Sequence, residues 1–129
     1  MITVVAALIV GPDGRTLMVR KQGTDIFMNP GGKPEPHESE PLALRRELIE
    51  ELDLDLPVEV FQPLGTYLTD AANEPGERLH ATCFRIDLGD QPHRIGAEIV
   101  ESRWIDPTVE PDVPLAPLAV DFLLPLLNK

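Results

Sequence analysis

Three glutamates lie close together near the middle of this 129-residue sequence, at Glu47, Glu50 and Glu51. Because an α-helix repeats every 3.6 residues, spacings of three and four would bring their carboxylates to one side of a helix, away from the apolar side that its leucines form. Like charges at these spacings repel one another, and a bound divalent cation would reverse that repulsion. Carboxylate oxygens suit Mg²⁺ or Mn²⁺. The spacing indicates a candidate metal site, although a bare acidic triplet more often marks a solvated helix face.

The residues around the glutamates form a longer pattern, which in order is Gly32, Glu38, Arg46-Glu47-Leu48, Glu50-Glu51 and Leu54. This pattern resembles the Nudix box, GX5EX7REUXEEXGU with U aliphatic, and a chance match is expected roughly once in a hundred thousand sequences or less. One position departs, because Asp53 stands where the box has glycine. Aspartate can adopt left-handed geometry at a cost, so we expect metal binding to survive. The chain thus resembles the Nudix hydrolase superfamily, and within it the MutT-like branch.

The resemblance implies roles for the residues of the box. Glu47, Glu50 and Glu51 would bind the metal ion, together with Gly32 from the loop before the helix. Arg46 would orient a box carboxylate through a charge-assisted hydrogen bond, and it joins Glu47 and Glu50 among the candidate catalytic residues. The implied cofactor is Mg²⁺ or Mn²⁺. Zinc is not expected, because Cys and His do not occur together at zinc-ligand spacing.

The resemblance also implies a further glutamate, from a downstream loop, that completes the metal site in the MutT-like branch. Glu98 fits this position best, and Glu101 is its rival; for both, the alternative is plain surface charge. Which glutamate acts as general base varies within the family, so Glu47 and Glu98 remain the two candidates.

The resemblance also implies supporting and substrate-binding roles for other residues in and near the box. Gly31 is expected to supply backbone contacts to metal or phosphate, and Glu38 to support the loop and Arg46. Four residues are candidate substrate-binding groups, each with surface charge or turn capping as the alternative: Arg20, Lys21, Asn29 and Lys33.

The family resemblance implies hydrolysis of a nucleoside diphosphate linked to another moiety X, by in-line attack of metal-activated water. The substrate is expected to be a nucleoside triphosphate, modified or not. One alternative is a catalytically silent domain that senses nucleotide, but such domains usually lose box acids and this chain keeps them. Another is an isoprenyl diphosphate isomerase, whose chemistry needs a cysteine, and Cys83 in a β-rich run resembles a core residue.

The elements that must position these residues can be read from apolar patterning. Ile2 to Val10 and Thr16 to Arg20 predict a β-hairpin around the Gly11–Gly14 turn. A helix is predicted from Glu40 to about Leu52, with Ser39 as N-cap and leucines recurring every fourth residue. Further predicted elements are strands at 58–69, 77–88 and 100–105 and a closing helix at 115–127. Strands with two covering helices predict a Nudix-type α/β/α sandwich around a mixed sheet.

Composition limits the class of protein and of partner. With 129 residues and 43% hydrophobic content, one domain spanning 1–129 is expected. The net charge of −11 disfavours a nucleic-acid polymer as partner, so a small nucleotide derivative is the expected one. A single cysteine and the lack of a 20-residue apolar run indicate a cytoplasmic protein that makes no membrane contact. Homodimers are common in the family that the chain resembles.

Overall fold

A computed structural model of this chain describes residues 1–128. Within that range six strands and one α-helix follow in the order β1 (Ile2–Val10), β2 (Thr16–Lys21), β3 (Gly31–Gly32), α1 (Glu40–Leu52), β4 (Gln62–Asp70), β5 (Arg78–Asp87) and β6 (Ile99–Ile105). A short 3₁₀ turn, Val58–Val60, precedes β4, where a continuous strand was predicted. Two short helical pieces, Ala119–Leu123 and Leu124–Leu127, close the described chain.

The strands form one mixed sheet in the order β4-β5-β1-β2-β6, with β3 paired to β1. β1 runs parallel to β5 along its whole length, while the other pairings are antiparallel. The predicted β1–β2 hairpin is confirmed, but the two strands pair only at Val10 and Thr16 beside the turn. Beyond that point they diverge, which leaves a gap between them within the sheet.

Residues 27–32 fill this gap. Met28 exchanges two backbone hydrogen bonds with Val19 of β2, at 2.8 and 2.9 Å. The carbonyl of Pro30 accepts a hydrogen bond of 2.8 Å from the amide of Ala7 in β1, and β3 then pairs with the same strand. The glycine-containing loop is therefore held by the sheet on both sides, which fixes the position of the backbone that follows.

Helix α1 has the predicted bounds, and both of its ends are capped. The Ser39 hydroxyl accepts a hydrogen bond from the Leu42 amide at 3.4 Å. Asp53 ends the helix in the left-handed conformation, with φ of 54°, as expected for a residue at the glycine position of the box. The leucines at every fourth position, Leu44, Leu48 and Leu52, are fully buried and fasten the helix to the sheet.

The sheet lies between two layers, as predicted for an α/β/α sandwich. On one face, the α1 leucines pack against side chains of β1 that include Val5, Ala7 and Ile9. On the other face, Leu123 of the C-terminal helical pieces packs against the intervening β1 side chains and Cys83. Across residues 1–128, no helix has the length and apolar character needed to cross a bilayer.

The predicted closing helix is present but irregular. The segment forms a wide π-helical turn at Ala119–Leu123 and then a tight 3₁₀ turn at Leu124–Leu127. Pro125 has no backbone N–H to donate to the carbonyl four residues earlier, and it occupies the start of the 3₁₀ turn. The change of helix type at this proline therefore has a local cause.

Candidate active site

Glu51 lies on the buried side of α1, against the expectation that the three glutamates project together away from the leucines. It follows Leu44 by seven residues, about two helical turns, so it shares the face that packs on the sheet. Glu51 is 3% exposed, and its Oε1 accepts a hydrogen bond from the Gly31 amide at 3.1 Å. Burial raises its pKa to about 8, with further raising contributions from Glu47 and Glu98. A cation placed beside Glu51 would offset the free-energy cost of keeping this buried carboxylate charged.

The two glycines of β3 let the backbone approach both β1 and the helix. Gly31 has φ of 152°, and a Cβ there would collide with the carbonyl oxygen of Val5. A Cβ on Gly32 would lie 2.5 Å from the carboxyl group of Glu47. Burial raises the pKa of Glu47, and Arg46 acts in the opposite direction. These glycines therefore place bare backbone directly against two of the box carboxylates.

Arg46 joins the loop before the helix to the helix itself. Its guanidinium donates two hydrogen bonds of 2.9 Å to Glu38, one of 3.1 Å to Glu47 and one of 3.1 Å to the carbonyl of Lys33. The bidentate bond to Arg46 lowers the pKa of Glu38 to about 2. Arg46 thus bonds the Glu47 carboxyl group on one side and the Glu38 carboxyl group on the other.

The loop that carries Glu98 is hydrogen-bonded to the C-terminal end of α1. The amides of Arg94 and Gly96 donate to the carbonyls of Leu52 and Glu51 at 2.9 and 3.0 Å, which satisfies helix carbonyls that have no partner inside the helix. A further hydrogen bond of 2.9 Å runs from the Gln22 amide to the Glu98 carbonyl. Backbone bonds therefore bring Glu98 to the site, although it is distant from the box in sequence.

At the site, Lys21 faces the acidic side chains. Its Nζ lies 3.2 Å from Oε1 of Glu98, and its charge offsets part of the rise in pKa that burial causes at both Glu47 and Glu51. One cation of the chain thus already balances part of the negative charge of this cluster.

These groups border a cleft of about 400 Å³. Of the predicted residues, the lining includes Lys21, Asn29, Gly31, Gly32, Lys33, Glu47 and Glu98. The remaining lining residues are mainly apolar. The structure therefore brings seven of the predicted site residues to one cavity, with Glu51 and Arg46 directly behind them.

Besides Glu38, Arg46 and Glu51, two predicted residues and one rival lie outside the cleft lining. Glu50 is half exposed on the flank of α1, where its closest cation is Arg46 at 3.5 Å. Arg20 points away and donates two hydrogen bonds to Glu101, at 3.1 and 3.2 Å. Glu101 is also bound by Arg103, and both arginines lower its pKa. The geometry therefore favours Glu98 over Glu101 beside the box carboxylates and gives Arg20 a partner within the protein.

The donor set fits a hard divalent cation in its chemistry. Within residues 1–128, no three side chains of His, Cys, Asp or Glu are gathered into a formed metal site. Even so, Glu47 and Glu51 are carboxylates whose burial raises their pKa, and Glu98 faces the same cleft. A cation stabilises buried carboxylates of this kind as anions.

Several lining residues had no signal in the sequence. Met28, Ala116 and Leu118 are part of the apolar lining, and Glu74 reaches the cleft from the β4–β5 loop. These residues come from segments distant in sequence, and none carries a motif. Apolar residues are typical of the core and charged residues of the surface, so their type does not indicate a binding site. Only the three-dimensional arrangement identifies them as cleft residues.

The cysteine has no access to the cleft. Cys83 is fully buried in the cluster beneath the C-terminal helical pieces, and burial raises the pKa of its thiol to about 12. The core position predicted for it is therefore confirmed, and it is not placed for isomerase chemistry.

Comparison with known proteins agrees with this architecture. The chain matches the family model described as NUDIX domain over residues 2–123. No curated protein matches it. The solution structure of the ORF135 protein of E. coli is 29% identical and has a TM-score of 0.70, over 99% of this chain and 86% of that one. The MutT NUDIX hydrolase of Burkholderia pseudomallei is 24% identical, with a TM-score of 0.73 and coverage of 88% of both chains.

A third structure belongs to a longer protein. The MutT/nudix family protein of Enterococcus faecalis is 18% identical with a TM-score of 0.66, and the match covers 79% of this chain but 42% of that one. The family model spans nearly the whole sequence, including the box and the loop that carries Glu98. The chain therefore belongs to the NUDIX domain family, and it is a Nudix hydrolase, an enzyme that acts on phosphoric anhydrides.

Proposed function

We propose that this enzyme is a Mg²⁺- or Mn²⁺-dependent pyrophosphohydrolase that cleaves a nucleoside diphosphate linked to another moiety, with a nucleoside triphosphate as its main substrate. The observation that carries the proposal is the placement of Glu51, which is buried under the Gly31 amide with its pKa raised to about 8. It lies beside a cleft that Glu47 and Glu98 also face.

The shape and charge of the cleft support a small phosphorylated ligand. Lys21, Lys33 and the two glycines of β3 line the cleft, where the lysines would supply cations to phosphate oxygens. The chain as a whole carries a charge of −11, which opposes a polyanion as long as a nucleic acid. We further propose that the enzyme works in the cytoplasm on nucleotides rather than on polymers.

In the proposed reaction, Glu47, Glu51 and Glu98 would hold a Mg²⁺ or Mn²⁺ ion, which would supply charge neutralisation and activation of water. Arg46 holds the Glu47 carboxyl group toward Gly32, and Glu38 keeps Arg46 in place. Glu47 and Glu98 are the candidate bases that accept the proton of the water, because both border the cleft. The β3 backbone and Lys33 orient the phosphates so that attack on phosphorus is in line.

A substrate panel tests this function. Nucleoside triphosphates and dinucleotide derivatives are incubated with Mg²⁺ or Mn²⁺, and the products are identified by chromatography and phosphorus NMR. Phosphate or pyrophosphate release is expected from at least one class. The Glu51→Gln variant is the matched control, since its amide oxygen can still accept the Gly31 hydrogen bond while the negative charge is gone. Its kcat should fall by about a thousandfold or more with the fold retained. Nucleotide binding without turnover in the unaltered enzyme would instead indicate a sensor domain.

A further inference from the structure

Lys21 lies where the pairing of β2 with β6 becomes irregular. The register shifts directly after Arg20, and this shift leaves Val100 of β6 outside the pairing as one extra residue. An extra residue of this kind changes the direction of the neighbouring side chains, and such bulges are common beside active sites. The two basic side chains accordingly have different partners, because Arg20 binds Glu101 whereas Lys21 binds Glu98.

Backbone hydrogen bonds hold Lys21 and Glu98 next to each other. The Gln22 amide donates to the Glu98 carbonyl at 2.9 Å. The amide and the hydroxyl of Thr24 donate to the Lys21 carbonyl at 3.1 and 2.9 Å. Between the two side chains, Nζ of Lys21 lies 3.2 Å from Oε1 of Glu98, and the lysine side chain is 33% exposed. The main chain therefore keeps this ion pair within reach at the border of the cleft.

The Lys21 ammonium also acts on two carboxylates of the box. Its charge offsets part of the rise in pKa that burial causes at Glu47 and Glu51, while the charge of Glu98 adds to the rise at Glu51. One monovalent cation of the chain thus interacts with the same three carboxylates that the proposed function assigns to the divalent cation. Two cations close to one set of carboxylates repel each other. Lys21 and a metal ion would therefore compete for these carboxylates.

We propose that Lys21 is a built-in counter-ion of the metal site, which holds Glu98 in the metal-free enzyme and must release it when a divalent cation binds. The inference rests on the metal dependence in the proposed function. Lys21 is then a positioning residue that acts through Glu98, and its competition with the metal ion weakens metal binding. The released ammonium becomes available to the phosphate oxygens of a substrate, because Lys21 lines the cleft.

Calorimetric titration of the metal-free protein with Mg²⁺ or Mn²⁺, in the absence of nucleotide, tests this inference. Lys21→Met removes the ammonium and keeps an unbranched side chain. Lys33→Met is the matched control, because Lys33 also lines the cleft but forms no ion pair with any described residue. Both variants change the net charge equally, yet the metal Kd of Lys21→Met should be about fivefold lower than that of Lys33→Met. Lys21→Arg keeps the charge, so its Kd should stay close to that of the unaltered enzyme.

Thermal unfolding gives a second measurement that does not depend on catalysis. In EDTA, Lys21→Met should melt below the unaltered protein, because the ion pair with Glu98 is lost. At saturating metal the two melting temperatures should agree, because the tighter binding of the cation compensates for the lost ion pair. Lys33→Met should show the same difference from the unaltered protein in both conditions. Lys21→Gln also removes the charge, and it replaces Lys21→Met if that variant does not fold.

Equal metal Kd values in Lys21→Met and Lys33→Met would overturn the inference, because net charge alone would then explain both. A lack of metal binding by the unaltered protein would overturn it as well. Nucleotide hydrolysis by an enzyme whose two lysine variants bind metal equally would reject the inference and leave the proposed function standing. A lower Kd in Lys21→Met than in Lys33→Met, without hydrolysis of any nucleotide, would do the reverse.

Discussion

At the scale of single residues, Gly32 gives the most direct test of the site geometry. A Cβ at this position would lie 2.5 Å from the Glu47 carboxyl group, so Gly32→Ala must push that group aside. Because the carboxyl group is the far end of a flexible side chain, the fold should persist. A displacement of this size should lower kcat/KM by about a hundredfold. Steady-state kinetics, with the melting temperature measured in parallel, check this expectation.

Gly14→Ala is the matched control for Gly32→Ala. Gly14 has φ of 84° in the β1–β2 turn, and a Cβ there meets no atom within 4 Å. The variant should therefore lose stability through backbone strain while it keeps its activity. If Gly32→Ala were as active as the unaltered enzyme, the close contact between β3 and Glu47 would have no catalytic importance.

Glu38 predicts a pH dependence of stability through its bond to Arg46. Its pKa is lowered to about 2 in the folded protein, below the value near 4.5 of an unpaired glutamate. The stabilisation is therefore complete above pH 4.5 and is lost as the pH falls from there through 2. The urea midpoint of Glu38→Gln should lie below that of the unaltered protein at pH 7, and the difference should shrink below pH 4.5.

The control for this experiment is Glu59→Gln, which removes an exposed glutamate that forms no ion pair with any described residue. Its midpoint should follow that of the unaltered protein at every pH. A difference for Glu38→Gln that stayed constant from pH 7 to pH 3 would show that the bond to Arg46 does not lower the pKa of Glu38.

At the scale of elements, Asp53 decides how helix α1 ends. Its φ of 54° places it in the left-handed region, and its amide donates to the carbonyl of Ile49 at 3.1 Å. Glycine meets no steric penalty there, so Asp53→Gly should raise the free energy of unfolding by about 0.5–1 kcal/mol. Asp53→Ala should lower it, because alanine lacks the local bonding that helps aspartate in this region. Urea unfolding at pH 7 measures both.

Activity distinguishes a structural Asp53 from a functional one. Its side chain has no hydrogen bond to a box residue within the described chain, so Asp53→Gly should keep the kcat/KM of the unaltered enzyme. A change of about tenfold or more in either direction would contradict a role restricted to the helix end.

Elements whose signals are local could be predicted from the sequence, and those that depend on tertiary contacts could not. Helix α1 has the predicted bounds because Ser39, the leucine repeat and Asp53 all act within a few residues of one another. The burial of Glu51 also follows from its spacing to Leu44, although the three glutamates were expected to share an exposed side. By contrast, the pairing of residues 28–32 with both β1 and β2 depends on a gap that exists only in the assembled sheet.

At the scale of the whole molecule, the site is assembled from segments far apart in the chain. Glu47, Glu51 and Arg46 could be predicted from the sequence, because the residues of the box lie at fixed spacings within one loop and one helix. Glu98 was identified by family resemblance, and its position depends on backbone bonds from the 94–98 loop to the end of α1. The apolar lining could not be predicted, since Leu118 reaches the cleft only because the C-terminal segment covers that face of the sheet.

The metal-free protein should be stabilised as a whole by a divalent cation. A cation that binds the folded state alone raises stability according to its concentration relative to Kd, by about 2.7 kcal/mol at a hundredfold excess. For a chain of this size that corresponds to a rise in melting temperature of about 5–10 °C. Removing metal with EDTA and then adding Mg²⁺ or Mn²⁺, with the melting temperature followed by calorimetry, tests this expectation.

The net charge of −11 offers a competing explanation, because any divalent cation would screen the repulsion of a surface this acidic. Two variants with the same change of charge separate the two causes. Glu59→Gln removes an exposed charge and should keep the full rise, whereas Glu51→Gln removes the buried carboxylate beside Gly31 and should lose most of it. An equal rise in both variants would show that the cation acts through general screening. A rise lost only in Glu51→Gln would tie the metal to the cleft without any measurement of catalysis.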